Sequence, residues 1–490
     1  MEYYAKTANS DGYQETVKAH LEKVANLAAE YGKPIGAEDA ARLSGILHDF
    51  GKYSTTFQKV LTKEASRIDH AGPGAAFLNN IRGNKAKYTP CIEAINGHHG
   101  GLVCKARIGV LNSLVSGKPG DTYTNFDKKC SLPNEDGETI ETQVTQFLED
   151  FPDFVENYLL CVKQGIYDSK TDSLVVQMLM TRMLYSCLVD ADYSASAEVD
   201  DASYFAHASG DRLNAREAEA VLDSYMEKIR AGSKADPIVD AVRNELFQNC
   251  ADAGNTTDWL MTVTAPTGAG KTLALLKLAL RKCQTLGLSR IIVVLPFLSI
   301  AEQTEDEYRK IIPNLITDHS QTVMAEEQRE LAARWDAPCV VTTSVKFFES
   351  LFAKDGPPCR KLHNIANSVV IFDEAQTLPS EITKPTIEAI ITLCERCRVS
   401  MVLSTATQPA FEYLTPKWKP TEVVRDIPSM YQRMTRVKTE WRVDAPTPLA
   451  DIAAEMKESS QSCCITNLKA HALKVFNALN DAEGSYLMST

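Results

Sequence analysis

Eight residues, APTGAGKT (Ala265–Thr272), lie between an apolar run, WLMTVT, and a helical pattern, LALLKLALRK. A glycine-rich turn that joins a strand to a helix commits its surroundings to a layered α/β unit, because the strand needs neighbours and the helix must cover them. The following sequence supplies those neighbours. Short β-branched runs recur at IIVVLP (291–296), PCVVTTS (338–344), SVVIFDE (368–374) and RVSMVLSTAT (398–407), each followed by a helical pattern. Continuous apolar runs of this length are expected of parallel strands buried on both faces. A further run, SCCITN (462–467), is expected to start another such unit.

The turn has the chemistry of a phosphate cradle spanning Thr267, Gly268, Ala269, Gly270, Lys271 and Thr272. The glycines let backbone N–H groups face phosphates, Lys271 reaches the terminal phosphates, and Thr272 can hold Mg²⁺. Ala265 stands where the strict pattern has its first glycine. Two carboxylates leave a buried strand in SVVIFDEAQ, where neither is tolerated unpaired in a core. Asp373 is expected to complete the Mg²⁺ shell through water, and Glu374 to polarise the water that attacks the γ-phosphate of ATP.

Residues 1–205 read differently, as helical patterns with polar loops and almost nothing strand-like. A stretch rich in Gly, Pro, Asp and Asn, 117–141, reads as a long loop or insertion, and 198–236 as a charged connection. With 490 residues, about three domain-sized units are expected. The expected division is 1–205, a linker at 206–240, an α/β lobe at 241–428, and a further unit at 429–490. Thirteen cysteines, an odd number spread along the chain, fit reduced thiols better than a disulfide framework. The one CxxC, Cys394 to Cys397, has no second pair to complete a zinc site. No signal peptide is legible and no stretch approaches the unbroken apolar length of a membrane span, so the expected setting is cytoplasmic, with no membrane partner. A net charge of −12 argues against non-specific coating of nucleic acid, but leaves room for a motor that confines positive potential to a groove.

The helical half ends an apolar helix face, Leu43, Ile46, Leu47, Phe50, on a polar pair in SGILHDFGK (44–52), with Gly51 as the expected helix stop. Five of the nine histidines fall in the first hundred residues. His20, His48, Asp49, His70, His98, His99 and Asp192 together have the donor set for two transition-metal ions such as Mn, Fe, Co, Ni or Zn, able to clamp the attacking and leaving oxygens of a phosphodiester. On this reading the helix is apolar because it packs, and its end is polar because it holds metal. Asp190 could equally orient a ligand histidine from behind. His207, His319, His363 and His471 receive no role.

APTGAGKT, DEAQ and the Thr405-Ala406-Thr407 triplet of VLSTATQP resemble, in this order, the DEAD/DEAH-like helicase superfamily, whose third motif couples hydrolysis to movement. In that family VLPFLSIAEQT (294–304) and VTTSVKFFESLF (341–352) match positions along the nucleic-acid path. Ser299, Gln303, Thr343 and Ser344 are the expected phosphate contacts there. The upstream histidines and aspartates resemble the HD phosphohydrolase superfamily. The two joined in this order resemble the CRISPR-associated helicase-nuclease family of type I interference systems, the third of the Cas proteins. HDFGK with Phe57-Gln58, DHAGPGAA, GHHGG and CCITNLKAHALKVFNAL match as well.

The resemblance implies an all-α HD metal phosphohydrolase domain, a RecA-like parallel-sheet helicase lobe and the start of a second lobe. It implies a two-metal site at the seven residues above and nicking of displaced single-stranded DNA. It also implies ATP-driven travel 3′ to 5′, and recruitment to the R-loop of an RNA-guided, Cascade-type surveillance complex for antiviral defence. Lys52 is placed to neutralise the scissile phosphate. In the family the second lobe carries an arginine that meets the γ-phosphate, and loss of such a group costs a factor of about 10³ to 10⁵ in turnover. This sequence offers only one strand and helix of that lobe, so a chain of this length is expected to bind ATP, hydrolyse it poorly and not unwind DNA. Two other readings stay open: an HD-type nucleotide phosphohydrolase with a regulatory ATP-binding lobe, and a chain that only docks on another complex.

Overall fold

The computed structural model describes residues 2–66, 70–80, 85–102, 140–322, 326–378, 382–479, 484, 486 and 487. The loop expected at 117–141 lies almost wholly outside them. Two compact units result, Met1–Met434 and Thr435–Thr490.

The first unit begins with helices. Thr16 caps Val17–Gly32 by accepting the Ala19 N–H at 3.2 Å. This helix packs on Glu38–Leu47 at a point where Gly45 meets Ala25: a Cβ at Gly45 would stand 2.6 Å from the Ala25 Cα. Only a glycine there allows the two backbones so close, and the histidines on the two helices are thereby brought together. Thr89–Gly97, with a proline in its first turn, and the 27-residue helix Leu174–Asp200 complete the frame. Among the described residues before 205 the only β pairing is an isolated bridge, Tyr4 with Thr16. By length and composition Leu174–Asp200 could cross a membrane, contrary to the reading of the sequence. It is instead the buried axis of this part, its apolar residues Leu179, Met183, Leu184 and Leu188 fully enclosed.

Residues after 254 form a seven-stranded parallel sheet: β1 (Leu260–Thr264), β2 (Arg290–Leu295), β3 (Ile316–Asp318), β4 (Cys339–Thr343), β5 (Ser368–Asp373), β6 (Ser400–Thr405) and β7 (Thr421–Glu422), in the order β3-β4-β2-β5-β6-β1-β7. The five longer strands are those the apolar runs predict. The strand alternation splits each run between two cores. Ile291, Val293 and Ile371 face helices Pro237–Gly254 and Lys271–Leu286. Ile292, Val370 and Phe372 join a core that continues into the N-terminal helices. The helical part and the sheet are therefore one packed body.

The segment read as a linker, 206–240, carries a helix, Ala215–Ala231, whose Leu222 and Met226 are buried. Lys277 of Lys271–Leu286 pairs with its Glu219 and Asp223, both at 2.6 Å. In the second unit, helices Leu449–Glu458 and Lys469–Ala478 pack together. The expected strand at 462–467 is not formed: these residues make no ladder, since an apolar run becomes a strand only where a partner supplies its hydrogen bonds.

Asp190, on the axial helix, is fully buried and accepts from Arg334 Nε at 2.8 Å and Arg360 Nε at 2.9 Å, two arginines of the sheet-bearing half. Arg334 also donates to the Tyr31 hydroxyl at 2.9 Å, and His363 stacks on Tyr31 with ring centroids 4.5 Å apart. Asp190 thus ties the two halves together rather than backing a ligand histidine. Asp190→Ala would leave two buried guanidinium groups uncompensated, and should destabilise the first unit by about 3–5 kcal/mol. Chemical denaturation followed by tryptophan fluorescence measures the loss; an unchanged midpoint would contradict it.

Candidate functional site

Five elements deliver polar side chains to one place. His20 projects from Val17–Gly32, and His48 and Asp49 follow the end of Glu38–Leu47. His70 precedes Gly72–Asn80, His98 and His99 follow Thr89–Gly97, and Asp192 lies on the axial helix. Gly51 is not a left-handed helix stop, as the sequence suggested. Its role is close approach: a Cβ there would stand 2.5 Å from the His70 carbonyl oxygen, so glycine is what lets His70 reach the cluster.

The seven residues fall into two sets whose donor atoms lie within 4.8 Å of one another: His20, His48, Asp49, Asp192, and Asp49, His70, His98, His99. Asp49 belongs to both. Its Oδ2 is 3.2 Å from His48 Nε2 and 3.3 Å from His20 Nε2, while Oδ1 is 3.4 Å from His98 Nε2 and 3.5 Å from His70 Nε2. His48 Nδ1 lies 2.8 Å from the Gly45 carbonyl and His98 Nδ1 lies 2.7 Å from the Ile95 carbonyl. A carbonyl only accepts, so each Nδ1 carries the hydrogen and each Nε2 is turned to the cluster. Those two Nε2 atoms, both ring nitrogens of His20 and Asp49 Oδ1 are buried without hydrogen-bond partners. Orphaned donors of this kind, converging on a shared carboxylate, fit metal ions.

The electrostatics agree. Burial lowers the His20 imidazole, but Asp192, Asp49 and Glu15 outweigh it and raise the pKa to about 10. His48 is raised to about 9 in the same way, against burial, chiefly by the Asp49 charge and by Asp192. Asp49 is lowered well below the carboxylate range: burial opposes this, and the charges of Lys52 and His48 prevail. His99 is lowered to about 4 by burial and by His98. Lys52 Nζ stands 2.5 Å from Asp49 Oδ2, a place where divalent cations would supply positive charge to the same carboxylate.

The second site lies at the carboxyl ends of β1, β5 and β6, which are neighbours in the sheet. Gly268 and Gly270 have φ of +86° and +81°, values that suit glycine, and Gly270 opens the helix Lys271–Leu286. Lys271 Nζ is 3.3 Å from the Ala265 carbonyl and 3.7 Å from Glu374 Oε1, so it spans the turn and the acidic pair. Burial raises Asp373 above the ordinary carboxylate value. Glu374 takes a left-handed backbone, φ +54°, and accepts from Gln376 Nε2 at 2.8 Å. Thr405 bonds Gln376 through its hydroxyl and accepts the Thr407 N–H at 3.0 Å. Of the expected strand-path residues, Ser299 and Gln303 are exposed and Ser344 half-buried. Thr343 is buried and its Oγ1 caps Ser344–Leu351 by accepting the Lys346 N–H.

Two residues at these sites carry no sequence signal of their own. Arg243 Nε donates to the Gly268 carbonyl at 3.2 Å, which places a cation beside the phosphate turn. Glu15 Oε2 lies 3.2 Å from His20 Nδ1.

The HD domain family matches residues 17–133 and the DEAD/DEAH box helicase family matches residues 246–414. A CRISPR-associated nuclease/helicase Cas3 from Haloferax volcanii is 26% identical over 428 residues, which cover 74% of this chain and 45% of that protein. The crystal structures of T. fusca Cas3 and T. fusca Cas3-ATP each match with a TM-score of 0.60 at 15% identity, over 98% of this chain and 63% of theirs. The chain thus spans about half the length of the curated relative. On the reading that Lys271 reaches the phosphates of ATP, Lys271→Ala removes a charge-assisted contact worth about 1.5–3 kcal/mol. ATP should bind roughly 10- to 100-fold more weakly in a fluorescent-nucleotide titration, while the melting temperature without ATP stays within a degree or two of the parent's.

Proposed function

We propose that this chain, an HD-domain helicase protein of the Cas3 kind, is a metal-dependent nuclease of single-stranded DNA joined to an ATP-binding DNA-translocating lobe, acting in CRISPR interference. One observation carries the nuclease reading: two sets of converging imidazole and carboxylate donors share a single buried carboxylate, Asp49. Ions of the Mn, Fe, Co or Ni class suit imidazole and carboxylate donors and, when bound as a pair, stabilise both the attacking and the leaving oxygen of a phosphodiester.

The chain's own residues do the rest. His20, His48, Asp49 and Asp192 would hold one ion, and Asp49, His70, His98 and His99 the other. The Gly45 and Ile95 carbonyls fix the orientation of His48 and His98. Lys52, partly exposed beside Asp49, offers a positive charge to the phosphate undergoing attack. In the sheet half, Thr267 to Thr272 would cradle the phosphates of ATP, with Asp373 on Mg²⁺ and Glu374 on the attacking water. Thr405, bonded to Gln376, and Thr407, bonded to Thr405, would pass the state of that site to the strand held by Ser299, Gln303, Thr343 and Ser344. Travel 3′ to 5′, recruitment to an R-loop by an RNA-guided surveillance complex, and a cytoplasmic setting belong to the same reading. The resemblance of the ordered motifs to the helicase-nuclease family supports them.

Cleavage of circular single-stranded DNA by the purified chain with Mn²⁺ and without ATP tests the reading. The parent should cut, and Asp49→Ala, which removes a ligand from both sets, should lose at least about 100-fold, beyond what an outer-shell change costs. A parent that binds Mn²⁺ but hydrolyses free nucleotides and leaves DNA intact would favour the nucleotide phosphohydrolase.

A further inference from the structure

Of the three histidines most deeply set in the cluster, two have Nδ1 held by a backbone carbonyl, Gly45 for His48 and Ile95 for His98. His20 differs. Its Nδ1 faces a carboxylate, Glu15 Oε2, at 3.2 Å, while its Nε2 faces Asp49 at 3.3 Å and Asp192 at 3.5 Å. Glu15 lies outside both sets of converging donors, behind the ring.

Burying a carboxylate is costly unless something compensates the charge. The Glu15 side chain is 4% exposed, and among the described residues no lysine or arginine is paired with it. Its Oε2 and the His20 Nδ1, 3.2 Å apart, are both buried and neither has a hydrogen-bond partner, so each is the polar atom nearest to hand for the other. The backbone leaves the carboxylate little choice of place. Glu15 immediately precedes the cap residue Thr16; its carbonyl accepts the Ala5 N–H at 2.8 Å, and Val17 N–H donates to the Tyr3 carbonyl at 2.8 Å. The N-terminal segment therefore pins the residue on both sides.

We propose that Glu15 is a positioning residue for the metal site: its carboxylate accepts the His20 Nδ1–H, fixes the tautomer that turns the Nε2 lone pair toward Asp49 and Asp192, and makes this imidazole a stronger donor than the two held by carbonyls. Glu15 would stand behind a histidine that holds the ion, and such outer partners commonly change metal affinity by about 10- to 100-fold. The ion held with His20, His48, Asp49 and Asp192 is the one affected. The set with His70, His98 and His99 does not touch Glu15.

The inference rests on the reading of this cluster as a metal centre, and the parent chain separates the two. Full-length parent, Glu15→Ala and Glu15→Gln are titrated with Co²⁺, following the visible absorption of the bound ion, and melted in the presence of chelator. The parent should take up two ions. Glu15→Ala should bind one of them about 10- to 100-fold more weakly with the other unchanged. Glu15→Gln, which keeps an acceptor but not the charge, should recover part of that loss. Melting temperatures with chelator should match, which a merely structural role for Glu15 would not give together with a selective loss. Should Glu15→Ala fail to fold, Glu15→Gln decides: weaker binding of one ion supports the assignment, and parent affinity for both overturns it. Unchanged binding by Glu15→Ala also overturns it, while a parent that binds no Co²⁺ overturns the metal centre itself.

Discussion

A single aspartate sets the terms for the helical half. Asp49 is almost wholly shielded from water, and four histidines and a lysine stand within 3.5 Å of its oxygens. A buried charge of this kind must be compensated where it is, because its desolvation is otherwise too costly for a fold of ordinary stability. The helices comply at the level of the backbone. Gly45 against Ala25 brings two of them close enough for the His20 and His48 rings to lie 5.3 Å apart, and Gly51 admits His70. Packing and chemistry are in that sense one problem, in which glycines at contact points let charged side chains meet.

The sheet half solves a different problem with the same economy. Its five longer strands are buried on both faces, so each must satisfy two cores, and alternate residues of a single run such as RIIVVL serve one each. Because one of those cores is shared with the axial helix, the nuclease-like and helicase-like parts have no solvent between them at that face. Asp190 with Arg334 and Arg360 adds a charged tie within the shared layer. An ion pair so placed contributes less through its own strength than through the cost of separating it, which makes the relative placement of the two halves definite.

Period and spacing made much of this legible. β1, β2, β4, β5 and β6 are long enough to read as unbroken apolar runs, whereas β3 and β7 have three and two residues and no pattern of their own. SCCITN has a strand-like composition but lacks a partner, and only tertiary context decides between the two. The seven donors could be read together only because their ordered motifs resemble the HD family: a His-Asp pair alone is common, and His20 and Asp192 carry no local signal. Glu15 could not: an acid just before a helix is an ordinary feature of sequence, and only the fold shows it facing an imidazole. Arg334 and Arg360 were hidden for the same reason, since nothing local distinguishes a surface arginine from one that closes an interface. Thr343 was legible as a polar residue at a strand end, but not as a helix cap.

The segment after β4 is tied to the helical half close to the His98–His99 turn. Ser344 opens a helix that ends at Leu351, and the residues just beyond it are held by the helical half on both sides. Arg182 of the axial helix donates to the Ala353 carbonyl at 2.8 Å, and the Leu102 N–H, three residues past His99, donates to the Lys354 carbonyl at 2.7 Å. Tyr185, one turn along from Arg182, donates to the Gly97 carbonyl at 3.0 Å, next to His98. These bonds hold the residues after the helix that Ser344 opens against the part of the helical half that carries the His98–His99 turn. Each is worth about 1 kcal/mol net. The segment that follows this helix and the His98–His99 turn are thus bonded to the same stretch of the axial helix and to each other.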